Sequence, residues 1–244
     1  MHMARPRREA VRKEIAEEIK AAARKQMEQY GTAGLSLRGV ARELGITAPA
    51  IYNYFPRLED LITALIVDAF TDLALAMETA GEQGDSDAAI LRVEAMLVAY
   101  RKWAIEHPVD FQLIYGNPIP GYEAPVGLTD PLARRPFLGI FQLYAQALHT
   151  GEITLPEEYR QVPLSISEYL VSWREQSGVN IPDELVCMLM TGWARIHGLV
   201  MLELFHHTQP VIGDAGALYQ YEIQSFHKRL AGKSKLIEGI LSKA

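Results

Sequence analysis

Apolar residues recur along the chain at intervals of three and four, which predicts helices. No β-strand pattern and no internal repeat is present. Val11, Ile15, Ile19, Met27 and Tyr30, with Ala22 and Ala23 among them, mark a first helix from about Arg8 to Tyr30, ended by Gly31. Leu37, Val40, Ala41 and Leu44 mark a short second helix, with Ser36 placed to cap its orphan amides. Gly45 supplies the left-handed turn, Ile46 anchors it, and Thr47 caps a third helix with Pro49 in its first turn and Ile51 and Phe55 facing inward. Leu58, Leu61, Ile62, Leu65, Ala69, Leu73 and Met77 predict a helix over 57–79, followed by a turn over 81–85. Ser86 would cap the next helix, from about Asp87 to His107.

Further helices are expected at 109–115, from Asp130 to about His149, and over 164–177 with Gly178 as terminator. Two more run from Pro182 to His207 and from Gly213-Asp214 to about Leu230, ahead of a Lys-bearing tail. Between them lie irregular stretches at 151–163 and at 116–130, the latter with six Gly or Pro in fifteen residues. The fold class is therefore all-α, with about nine or ten helices.

Two short helices joined by a glycine turn form a helix-turn-helix, the geometry that seats a second helix in the DNA major groove, although plain αα-corners share it. The wider stretch LRGVARELGITAPAIYNYFPRLEDLI resembles the N-terminal domain of TetR-family transcriptional regulators. The matching features are Ala41 and Gly45 at the turn, the aromatic Tyr52, Tyr54 and Phe55, and the Glu59-Asp60-Leu61 run, within roughly residues 8 to 65. That family usually carries a phosphate-contacting Lys at the start of its fourth helix. Here Leu58 holds that place, and Arg57 is the candidate replacement.

The resemblance implies an N-terminal arm and DNA-binding head over 1–56. It also implies an effector-binding and dimerisation domain over 57–244. The 57–79 helix would be the lever between them. The function implied is that of a ligand-responsive, dimeric regulator, expected to be a repressor released from its operator by a small molecule. Candidate DNA-binding residues are Arg42, Thr47, Ala48, Pro49, Tyr52, Asn53, Tyr54 and Arg57. The tyrosine hydroxyls are expected on phosphates and Asn53 near base edges, with Thr47 and Ala48 against a phosphate or a thymine methyl.

Charge changes the picture in one respect. The chain of 244 residues carries a formal net charge of −6, which would disfavour nucleic acid if it were evenly spread. Residues 1–60, however, hold 11 Lys+Arg against 8 Asp+Glu, while the remainder holds 13 against 22. Arg5, Arg7, Arg8, Arg12 and Lys13 crowd the start, read here as a flexible basic arm for phosphates, with a solvated tail as the alternative. Met1-His2 ahead of Met3 resembles a cloning scar and is left aside. No apolar run approaches 18 residues, which argues against a membrane-spanning helix. A single cysteine, Cys187, excludes an intramolecular disulfide and fits a reducing cytoplasm, the expected location.

The body supplies aromatic side chains for an apolar effector cavity: Trp103, Phe111, Tyr115, Phe141, Tyr144, Trp173 and Trp193, with Tyr169 in the same set. Aromatic stripes of this kind are more often plain core. Trp193 and His197 share a helix face, and the Trp-His-Gly run ending at Gly198 resembles the signature of one TetR subgroup. A satisfied core histidine and a cavity wall both fit. The helix over 182–207 is apolar nearly all round, so it is buried on several sides, by its own chain and by a partner subunit in turn. The resemblance implies a homodimer through a four-helix bundle made by this helix and the last one of each chain, matched to a palindromic operator.

Catalytic chemistry finds little support. Glu203 and His206 have the E-x-x-H spacing of di-iron helices, but a second copy is lacking. No P-loop, G-x-G-x-x-G or G-x-S-x-G occurs, and no cofactor or metal is expected. A helical enzyme and a protein-interaction adaptor, each with the head as a mere αα-corner, remain the alternatives.

Overall fold

A computed structural model describes residues 5–83, 88–178 and 181–231. Every α-element among them is a helix, and no strand is found among them. The eleven helices are α1 (Arg5–Tyr30), α2 (Leu37–Glu43), α3 (Ala48–Tyr52), α4 (Leu58–Gln83), α5 (Ala89–Glu106), α6 (Pro108–Tyr115), α7 (Val126–Thr150), α8 (Leu164–Ser177), α9 (Asp183–Leu204), α10 (Gln209–Ile212) and α11 (Ala215–Ala231). The expected nine or ten helices become eleven because short pieces such as α10 lie in segments read as connections. Met1-His2, the expected Ser86 cap and the Lys-bearing tail lie outside the described residues, as do the side chains of Arg5 and Arg7.

The chain forms two compact units. One comprises the residues up to Asp72 together with His107–Ala133, and the other Leu73–Glu106 with Arg134 onward. The first has a single core. Ile19, Ala23 and Met27 of α1, Leu37 and Val40 of α2, Ile51 of α3 and Leu61, Ile62 and Leu65 of α4 are all buried in it. Three-residue and four-residue spacing puts these side chains on one face of each helix, which is why the pattern was readable. The α1 stripe overreaches at its ends, where Val11 and Tyr30 are exposed.

The 107–133 segment joins this unit through buried chemistry. Asp110 of α6 accepts from Arg24 Nε of α1 at 2.9 Å on both carboxylate oxygens, and Arg24 also lies 3.6 Å from Asp68. Lys20 donates to Asp68 at 2.6 Å. Burial pushes the Asp110 carboxyl up and the Arg24 guanidinium pulls it back, with a net rise. The glycine-rich and proline-rich stretch is partly structured: Ile119 and Tyr122 pack on the core, and Tyr122 Oη lies 3.0 Å from Thr63 Oγ1. Helix α7 begins at Val126, four residues before the expected Asp130, because the Pro125 carbonyl accepts from the amides of Leu128 and Thr129.

In the second unit α5, α9 and α11 pack against one another. Tyr219 Oη donates to the Leu97 carbonyl at 2.8 Å, and Arg101 donates from Nε and Nη2 to the two Glu203 oxygens at 2.8 and 2.5 Å. The first amides of α5, at Ala89 and Ile90, donate to Glu152, some sixty residues away. Asp214 caps α11 by accepting from the Ala217 amide at 2.9 Å. Gly178, with φ of 68°, closes α8 as expected. Contrary to the reading of apolar runs, α9 is long and apolar enough to cross a membrane, since Arg195 and His197 interrupt its run without lowering its average much. Only 33% of its most apolar stretch is buried within one chain.

Candidate nucleic-acid interface

Helix α2 starts where Ser36 Oγ accepts from the Gly39 amide at 3.2 Å. A second restraint comes from α1: the buried Gln26 accepts from the Ser36 amide through Oε1 at 2.9 Å. Its Nε2 fills the space a side chain at Gly39 would need. Gly45, with φ of 66°, makes the turn, and the Ile46 amide returns to the Ala41 carbonyl at 3.0 Å. Thr47 is extended, and its carbonyl takes the Ala50 amide at 2.9 Å. Its hydroxyl makes no cap bond, contrary to expectation, and the residue is exposed. Pro49 in the first turn leaves little for a capping hydroxyl to satisfy.

The recognition helix α3 has five residues, which corrects the expectation that three aromatic-rich positions project from it. Tyr52 is its last residue, Asn53 is its C-cap, and Tyr54 follows. Ile51 is wholly buried, whereas Tyr52 is 41% exposed. Tyr54 is half-buried, with its ring against the head core. Arg42, Thr47, Pro49, Tyr52, Asn53 and Arg57 are exposed and Ala48 is half-buried. Arg38, unremarked in the sequence reading, is exposed one turn before Arg42 on α2; its spacing of four from Arg42 was the available signal.

Two cations expected on phosphates have protein partners. Arg57 donates to Asp60 from Nε at 3.3 Å and Nη2 at 2.8 Å, while its amide donates to Asp60 Oδ2 at 3.0 Å. Asp60, accepting from the Arg57 amide and side chain, caps the start of α4, and these bonds hold its carboxyl below its ordinary range. Leu58 is half-buried against the core. Arg12 belongs to α1, which is helical from Arg5, so the flexible arm is not found there; its Nη2 donates to the Asn53 carbonyl at 3.1 Å.

The aromatic candidates are divided between the two units. Phe111 is fully buried in the first, where Tyr115 meets Phe70 edge-on at 5.9 Å. In the second, Trp193 lies 5.0 Å from His197 and 5.5 Å from Phe137, and His197 Nδ1 is 2.7 Å from Tyr100 Oη. Burial lowers the affinity of His197 for a proton. Phe141 pairs with the half-buried Trp173 at 5.7 Å. Tyr144 bonds His227 Nε2 at 2.9 Å, and Trp103 is buried. Tyr169 is exposed on α8. Tyr100, Phe137 and His227 escaped the sequence reading because they lie on three helices far apart in the chain. Of the Glu203–His206 pair, Glu203 accepts from Arg101, and no cluster of three metal-binding side chains occurs among the described residues.

Residues 19–65, which carry this geometry, match the family described as bacterial regulatory proteins, tetR family; residues 93–226 match the tetracyclin repressor-like C-terminal domain. The chain belongs to the TetR family of transcriptional regulators. It is 33% identical to the HTH-type transcriptional regulator Mb1846 of Mycobacterium bovis, over 87% of this chain and 91% of that protein. The same figures hold for Rv1816 of Mycobacterium tuberculosis. The crystal structure of regulatory protein SCO4313 is similar, with a TM-score of 0.73 and 27% identity over 89% of this chain and 97% of that one. A TetR-family regulator from Rhodococcus RHA1 shares the fold at a TM-score of 0.62 and 14% identity, covering 88% of this chain and 96% of that one.

Proposed function

We propose that this TetR-family regulator reads DNA through the surface formed by Arg42, Thr47, Ala48, Pro49, Tyr52, Asn53 and Tyr54, with Arg38 beside them. The observation that carries the reading is the contrast within α3, where Ile51 is fixed in the core and its neighbours Tyr52 and Asn53 face outward. A fixed inward residue orients the outward ones, as base-edge contacts require. Tyr52 serves a phosphate and Asn53 a base edge. Arg57 is shared between Asp60 and a phosphate, and it contributes less than an unpaired cation would.

The domain from about residue 57 onward serves dimerisation and effector binding. The apolar helix α9, much of it only half-buried in one chain, and the exposed Met190, Leu202, Phe205 and Tyr221 support a homodimer through α9 and α11. A twofold dimer presents two recognition helices to half-sites one turn, about 34 Å, apart, so the operator is palindromic. The effector lies against Trp193 and His197 with Tyr100 and Phe137, and Phe141, Tyr144, Trp103 and Trp173 of the same unit are its further candidate contacts. It acts as a release signal by binding the DNA-incompetent state more tightly, since equal affinity for both states shifts nothing. The regulator acts as a repressor in the cytoplasm.

The test is a pair of variants titrated on a duplex that the wild-type protein enriches from a random pool. Tyr52→Ala weakens binding to every sequence. Asn53→Ala relaxes preference at one position and costs about tenfold there. Equal losses on enriched and random DNA for both variants would remove Asn53 from base readout.

A further inference from the structure

We infer that Arg12 is a positioning residue for the recognition helix, acting through the Asn53 carbonyl and not through a DNA phosphate. The inference rests on the proposed reading of α3 as the DNA-facing helix. A helix of five residues has few internal hydrogen bonds, and its last carbonyls point past its end. The Asn53 and Tyr54 amides turn back to the Ala50 and Ile51 carbonyls at 3.3 and 2.9 Å, while the Asn53 carbonyl accepts from Arg12 Nη2 at 3.1 Å. A guanidinium at this end also opposes the partial negative charge of the helix C-terminus.

Helix α1 therefore holds the helix-turn-helix at three places. Gln26 holds the start of α2 at Ser36, Lys25 pairs with Glu43 at its end at 2.7 Å, and Arg12 holds the end of α3. The first two act on α2 alone; in α3 the buried Ile51 sets the phase of the helix, and the Arg12 bond holds the end that lies beyond it. Asn53 carries the accepting carbonyl and the amide side chain proposed to reach a base, so fixing the one fixes where the other emerges.

Two measurements on Arg12→Ala decide the matter, with thermal unfolding as the control for folding. The first is backbone amide exchange in the free protein, which needs no DNA. The amides of Asn53 and Tyr54 exchange about tenfold faster, the equivalent of one charge-assisted hydrogen bond, while those of α2 are unchanged. The second is affinity for the enriched duplex against random duplex across a salt titration. The ratio of the two falls about tenfold while the log–log salt slope is unchanged, and Arg12→Lys, which keeps a donor, recovers most of both effects. Unchanged exchange, with a slope shallower by about one and equal losses on both duplexes, makes Arg12 a phosphate contact and overturns the inference. If the wild-type protein enriches no sequence, the DNA reading of α3 fails, and the exchange result alone still decides whether Arg12 restrains Asn53.

Discussion

Arg24 and Asp110 lie eighty-six residues apart, yet the Arg24 Nε sits 2.9 Å from both oxygens of the Asp110 carboxylate. The pair fastens α6 to α1 within the first unit. The acid side chain is 10% exposed and the arginine 27%, so their loss is unequal. Arg24→Ala leaves a buried carboxylate unpaired and costs about 3 kcal/mol, with a further rise of the Asp110 carboxyl pKa. Asp110→Ala leaves an arginine that still reaches water, and it costs less. Urea unfolding of both variants measures the difference, and equal costs would contradict this account of the pair.

Gly39 is required by its neighbour. A Cβ there would come 2.0 Å from Gln26 Nε2 and 2.8 Å from Ser36 Oγ. The glutamine can move only by surrendering the Ser36 amide, so Gly39→Ala costs about 1–2 kcal/mol. Gln26→Ala removes both the bond and the nearer obstacle, leaving Ser36 Oγ. The two substitutions together then cost less than their sum, and a double-mutant cycle by chemical denaturation measures that coupling.

His227 is nearly fully buried between Tyr144 and the second unit's core, and its Nδ1 finds no partner among the described residues. Burial pulls its pKa down from 6.5 to about 4. The unfolded chain therefore takes up a proton that the folded chain refuses between these values. Stability is intact above pH 6.5 and is lost as the pH falls toward 4, by about 3 kcal/mol from this group. His227→Phe flattens that part of the profile in thermal melts taken across the window. A profile unchanged by the substitution would contradict the assignment.

Much of this fold is legible in the spacing of apolar residues because each helix buries one face. The caps at Ser36, Gly45 and Gly178 are local devices, and they occur where their side chains or backbone freedom predict. Longer-range partners were not legible. Glu152 capping α5, Gln26 capping α2 and Asp110 meeting Arg24 each depend on how distant helices meet, which no local pattern encodes. The same limit applies to the site. Exposure of Tyr52 and Asn53 follows from helical phase once Ile51 is placed in the core, whereas the engagement of Arg12 with Asn53 is a meeting of two segments forty-one residues apart. Positive charge near the N-terminus pointed to phosphates. Among those charges, Arg12 and Arg57 are engaged within the protein.

Whether the face around Tyr52 reads operator DNA is decided by one titration. The purified protein is titrated against its own upstream intergenic DNA and against random DNA over a range of salt, with Tyr52→Ala in parallel. The expected result is preferential binding to the upstream DNA, a steep negative log–log salt slope of about −0.9 per phosphate engaged, and loss of affinity in Tyr52→Ala. No binding to any DNA at low salt, or binding that Tyr52→Ala leaves untouched, would contradict it.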